Sequence, residues 1–337
     1  MILKVKEPPI TSFSTFANLL SVTICNDNGY KWYCNNYVQL FTDYRFSSNG
    51  EIKFREEFFG YTKASTIYSP YCNNPFIDNL FVIDDLLMLI NIDDVIDKLK
   101  HFIDNGYYIR ANLDRHFYDD KQTLGSLHSA FIYGYDNESF LLADFIKSGK
   151  YQPAKILFCD FIKSYEQQYD AEKLSRSPFI SNPHGIYMFK TKNVDYQYDK
   201  AYLKRLIIDY YNEENTMDSP EVIRYYYKSD PLKQELNWGM GVYKDLKYDY
   251  KTIFACKDHK KAMCDKLEFL IQNKYIENDE LLYSYTKIKE EYGICLNLSI
   301  KYSISRNYKD LETIKAKLNI CYESEKRCLE KLIQELN

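Results

Sequence analysis

Residues 128–144 read His-Ser-Ala-Phe-Ile-Tyr-Gly-Tyr-Asp-Asn-Glu-Ser-Phe-Leu-Leu-Ala-Asp. His128 opens one apolar, aromatic run and Asp144 closes the next, with a polar Asp-Asn-Glu-Ser turn between them. This pattern predicts a β-hairpin. With an odd loop such as 136–138, His128 and Asp144 share a face as diagonal neighbours, about 7–8 Å apart at the backbone. An imidazole oriented by a carboxylate needs only a nucleophile to complete a triad. A thiol becomes nucleophilic where a nearby imidazolium or the positive end of a helix lowers its pKa. Cys25, among turn residues just ahead of a helical segment, is the candidate. Cys34, deeper in that segment, is expected to be packed.

The other four histidines lack a comparable setting. His101 lies within a helix ending at Gly106, His116 in a charged segment, His184 after a proline turn, and His259 in a lysine-rich stretch. A His128–Asp144 pair serving structure alone is the plainer alternative. Cys256, His259 and Cys264 are close in sequence but lack the paired spacing of a zinc site, and read better as one buried helix face. No metal is expected. No phosphate-binding loop or dinucleotide fingerprint occurs, and Trp238-Gly239-Met240-Gly241 has no strand–turn–helix context.

Several elements must position these groups. The segment 10–24 leads to Cys25, and helical spacing of Trp32, Tyr33, Tyr37, Leu40 and Phe41 predicts a buried helix over 30–41. Residues 46–68 read as strand and loop anchored by Ile52, Phe54, Phe58 and Phe59. A short helix is expected over 93–105, with Asp93 or Asp94 at its start and Gly106 after its end. A strand follows over 107–113, then a polar connection into the hairpin, and a further strand over 186–189. Beyond residue 198 the period is helical, over 202–211, 260–270, 281–298 and 311–336; Glu325 interrupts the apolar rhythm of the last. The boundary falls at 192–198. The pattern is α+β with a helical C-terminal region.

The 337 residues carry a formal charge of −4, which argues against a general nucleic-acid binder. No apolar run approaches the ~20 residues that span a bilayer, and the N-terminal residues have no apolar signal core. Nine scattered cysteines suit a reducing compartment, so a cytoplasmic location is expected. The 34 tyrosines read as compositional bias rather than a stacking surface.

The order Cys, His, Asp, with the last two on neighbouring strands, resembles that of papain-like cysteine enzymes. The chain more closely resembles the butirosin BtrH-like acyltransferases. The resemblance lies in Trp32-Tyr33-Cys34-Asn35-Asn36-Tyr37-Val38-Gln39-Leu40, in His128…Tyr133-Gly134-Tyr135-Asp136 with the strand ending at Asp144, in Trp238-Gly239-Met240-Gly241-Val242-Tyr243, and in the helix bearing Asp258-His259-Lys260. It implies a papain-like α+β fold, with a catalytic region over 1–195 and a mostly α-helical region over 196–337. It also implies transfer of an acyl group from a carrier-protein phosphopantetheine thioester to a small-molecule amine, as in antibiotic or non-ribosomal peptide biosynthesis. The plan is similar to that of the cysteine-protease-like enzyme forming amides in closthioamide assembly.

Carried over by position, Cys25 is the acylated nucleophile, His128 its base and Asp144 the residue holding the imidazole. The glutamine preceding a Cys-Trp pair in proteases is missing; Asn18 is the nearest upstream amide for an oxyanion hole. Trp32, Tyr33 and Tyr133 are expected to wall a narrow, dry pocket. The partners implied are a carrier protein and an amine, with no bound cofactor, nucleic acid or membrane. Two rivals share the sequence features: a cysteine peptidase or thioesterase, and a non-catalytic binding protein with a papain-like shell.

Overall fold

A computed structural model describes residues 1–43, 51–54, 74–80, 94–147, 149–168, 186–214, 237–246 and 248–337. They form two compact units, Met1–Asp27 with Asn74–Val194, and Asn28–Asn73 with Asp195–Asn337. The junction after Val194 lies within the expected boundary. The chain nevertheless leaves the first unit after Asp27 and returns at Asn74, so 28–73 belong with the C-terminal helices.

The first unit is an open antiparallel sheet of six strands in the order β3-β8-β4-β5-β6-β7. These are β3 (Ile77–Leu80), β4 (Tyr108–Asp114), β5 (Leu127–Tyr135), β6 (Ser139–Ile146), β7 (Lys150–Leu157) and β8 (Tyr187–Thr191). Alternation along the strands divides the sheet into two faces. Ile109, Ala111 and Leu113 of β4, Ala130 and Ile132 of β5, and Phe140 and Leu142 of β6 point to one. There they pack against Val95, Leu99 and Ile103 of α3 (Val95–Asp104) and Phe161 and Tyr165 of α4 (Phe158–Gln168). On the other face Tyr108, Phe131 and Phe189 stack at 5.7–6.0 Å between centroids. That face also meets α1 (Ser14–Thr23), where Asn18 contacts Tyr151.

The N-terminal residues extend the sheet where β4 has not yet begun. Ile2 bridges Gly134, Leu3 N donates to Tyr133 O, and Tyr135 N donates to Met1 O. A Cβ on Gly134 would lie 2.7 Å from Met1 O, so the close approach requires glycine. The expected 93–105 helix is α3, which ends before Gly106 at φ +84°, where glycine suffers no steric penalty.

The second unit begins in α2 (Asp27–Asn35). The helix expected over 30–41 stops at Asn35, whose side chain instead accepts from Asp199 N and donates to Asp199 O, both at 2.8 Å. Tyr37 is left-handed at φ 59°, and β1 (Leu40–Asp43) begins soon after and pairs with β2 (Glu51–Phe54). Ile52 and Phe54 lie on β2; Phe58 and Phe59 lie outside the described residues. Four α-helices follow among the described residues: α5 (Lys200–Tyr211), α6 (Tyr250–Gln272), α7 (Asp279–Ser305) and α8 (Tyr308–Glu335). Each is capped by a side chain, Asp199, Asp249, Asn278 and Asn307 respectively, which satisfies backbone donors at the first turn.

The break at Glu325 has its reason in this unit. Glu325 occupies a buried position and pairs with the equally buried Lys260 at 2.5 Å. Tyr243 donates to the other carboxylate oxygen at 2.6 Å, and Tyr285 and Tyr210 lie within 3.5 Å of the first. Lys260 also reaches His259 Nδ1 at 3.0 Å. A buried charge pair is tolerable when its remaining hydrogen-bonding capacity is filled in this way. Among the described residues, no helix is long and apolar enough to cross a membrane.

Candidate functional site

His128 and Asp144 meet because of a bulge. At the hairpin tip Tyr135 pairs with Phe140 and Gly134 with Leu141. Continued unbroken, that register would set Asp144 opposite Phe131 and turn it to the face away from His128. Tyr133 is an extra residue, and beyond it Ile132 pairs with Leu142 and Phe131 with Ala143. The shift by one places Asp144 opposite Ala130, diagonal to His128 and on its face. The ring Nδ1 then lies 2.6 Å from Asp144 Oδ1.

Asp144 is fully buried, whereas the His128 side chain keeps 31% of its surface exposed. The carboxylate also accepts from Phe145 N at 2.7 Å and from Tyr118 Oη at 2.7 Å. A carboxylate oxygen accepts from a ring N–H, so in the neutral imidazole this contact puts the proton on Nδ1 and the lone pair on Nε2. Tyr118, in the polar connection before the hairpin, carried no signal in the sequence. Burial first, then the charge of Asp144 and the hydrogen bond to it, raise the Tyr118 phenol above its ordinary value. It therefore remains a donor.

Cys25 stands elsewhere, and its assignment as the partner of His128 needs correcting. Its Sγ donates to Ser21 O at 3.2 Å and lies 3.5 Å from Lys4 O, the carbonyl that accepts from Tyr108 Oη at 2.7 Å. Tyr108 lies five residues along β4 from Leu113, the residue paired with His128, or about 17 Å at the rise of a strand. Tyr108 and Leu113 also point to opposite faces. The thiol follows the C-terminal end of α1, where the helix dipole disfavours a thiolate. Burial raises its pKa in spite of Lys4 and Lys6 nearby. Cys25 is thus a half-buried thiol at the far end of the sheet.

Asn18 is nearer. It lies seven residues before Cys25, close to two helical turns, and its Oδ1 accepts from Tyr151 Oη at 2.6 Å. The Tyr151 ring meets Phe145 at 5.6 Å, and Phe145 meets the His128 ring at 5.8 Å. α1 therefore runs from the His128 end of the sheet towards the Tyr108 end. Asn18 is fully buried, and its Nδ2 finds no acceptor among the described residues. No family model matches this chain, and no curated protein matches it. The site is read from its own geometry.

The aromatics expected to wall a pocket are not gathered at His128. Trp32 and Tyr33 belong to the core of the second unit, where Trp32 packs on Tyr37 and Tyr33 donates to Asp265 at 2.8 Å. Tyr133 is the bulged residue at the opposite end of β5. Cys34 is fully buried. Both nitrogens of His259 are engaged, with Val38 O and Lys260 Nζ, and His184 lies outside the described residues. No cluster of three or more His, Cys, Asp or Glu groups able to hold a metal occurs among the described residues.

Proposed function

We propose that this protein is an acyltransferase in which His128, oriented by Asp144, acts as general base and acid. It moves an acyl group from a carrier-protein phosphopantetheine thioester directly to an amine. The contact between Nδ1 and the buried carboxylate carries the reading, since it leaves Nε2 as the acceptor of the neutral ring, on a side chain that keeps 31% of its surface exposed. The resemblance to butirosin BtrH-like enzymes is the ground for a thioester donor and an amine acceptor. It is also the ground for regarding the six-stranded sheet with α1 on one face as papain-like.

The remote, protonated thiol of Cys25 favours a single displacement over the acyl-enzyme route. His128 Nε2 removes a proton as the amine nitrogen attacks the thioester carbonyl. A tetrahedral oxyanion results. Collapse breaks the carbon–sulfur bond, and the imidazolium returns its proton to the departing pantetheine sulfur. Thioester to amide runs downhill, so no ATP enters. The reading assigns the enzyme to the cytoplasm.

Intact-protein mass spectrometry during turnover of acyl-carrier thioesters with amines tests this proposal. Amide product with no acyl adduct on the Cys25 peptide is expected. A kinetically competent acyl-Cys25 would contradict direct transfer, and free acid alone would make the protein a thioesterase.

A further inference from the structure

We infer that Tyr118 is a positioning residue that fixes the tautomer of His128 through Asp144. The inference rests on His128 being the base, but its physical content can be measured without turnover.

The carboxylate has two oxygens and three donors. His128 and Phe145 N share Oδ1, while Tyr118 Oη holds Oδ2. With Oδ2 occupied, the carboxylate cannot rotate to offer that oxygen to the imidazole without abandoning a buried donor. The loop carrying Tyr118 is clamped on either side of that residue, once to β6 and once to the turn that follows it. Arg115 Nη1 donates to Phe145 O at 3.2 Å, and Asp119 Oδ2 accepts from Lys147 N at 3.1 Å. Residues 115 and 119 thus bracket Tyr118; residue 145 follows Asp144 in β6 and residue 147 comes just after the strand ends at Ile146. Asp114 closes the base of the loop, accepting from His116 N at 3.1 Å and Gly125 N at 2.6 Å. A loop tied down at both ends and aimed at one oxygen acts as a brace. Such support around a functional group commonly governs its orientation.

Tyr118→Phe removes the hydroxyl while keeping the ring. Oδ2 of Asp144 then becomes a buried acceptor without its donor, an arrangement that proteins relieve by rearrangement. Nitrogen-15 NMR of the His128 ring in the full-length protein reads the consequence. The unaltered protein should show one tautomer, protonated at Nδ1. Tyr118→Phe, with near-UV circular dichroism confirming its fold, should show a mixture of the two. Arg115→Met, which loosens one clamp and keeps the hydroxyl, should give a smaller share of the second tautomer. Unchanged ring shifts in folded Tyr118→Phe would overturn the inference and leave the base assignment standing. A mixed tautomer beside full turnover by His128→Ala would uphold the brace and remove the base.

Discussion

Asp144 comes within 2.6 Å of His128 because Tyr133 is one residue more than the ladder between β5 and β6 can pair. The bulge is held by the N-terminal residues, which pack against Gly134. Gly134→Val sets a side chain where Met1 O is 2.7 Å from an ideal Cβ. Overpacking of this kind costs about 1–3 kcal/mol. Urea denaturation should show that loss, and hydrogen exchange should show residues 1–3 released from the sheet. Unaltered stability with protected N-terminal amides would contradict the role given to this contact.

Alkylation rates can locate an activated thiol. Burial raises the Cys25 pKa, so its thiolate fraction near neutrality is below that of an ordinary cysteine. Cys159 is exposed. At pH 7.5 iodoacetamide should label Cys159 faster than Cys25, with the Cys25 rate still climbing past pH 9. Preferential labelling of Cys25 at pH 7 would restore it as a nucleophile.

Glu325 and Lys260 are both fully buried. Removing one partner leaves a buried charge alone, so Lys260→Met or Glu325→Leu should each lower stability by about 3–5 kcal/mol. The double variant should lose less than the sum of the two. Strict additivity in denaturant titrations would show that the two groups act independently.

Lys266 is also buried, with its amine over the Tyr33 ring at 4.8 Å and 3.3 Å from Ala262 O. Desolvation lowers its pKa to about 8, against the pull of Cys34 and Asp265. The unfolded value is about 10.4. Below pH 8 both states carry the proton and the penalty is complete. Between about 8 and 10.4 the native state sheds its proton first, so this group's contribution to stability rises with pH. Lys266→Met should therefore stabilise the protein near pH 7 and flatten that alkaline rise. A destabilised variant with the same pH profile would contradict the assignment.

The hairpin was legible because polar turn residues separate two apolar runs. An isolated glycine inside a strand, Gly134, was also a signal of a bulge, although parity was assigned from loop length alone. The misplaced thiol has a local cause. Cys25 does precede α2, but it also follows the end of α1, and chain order cannot reveal which helix governs its surroundings. Helical spacing over 30–41 was real up to Asn35, where side-chain bonds to Asp199 and the left-handed Tyr37 stop the helix. The break in rhythm at Glu325 was visible; its partner, 65 residues earlier, was not. Tyr118 was hidden among 34 tyrosines, because only tertiary packing sets it against Asp144.

Direct transfer by His128 is tested most plainly by comparing amide formation in Cys25→Ala and His128→Ala with an acyl-carrier thioester and an amine. The account predicts that Cys25→Ala keeps nearly all of the rate, while His128→Ala loses on the order of a hundredfold or more, as expected for a missing general base. Loss of turnover in folded Cys25→Ala, with His128→Ala still active, would contradict it.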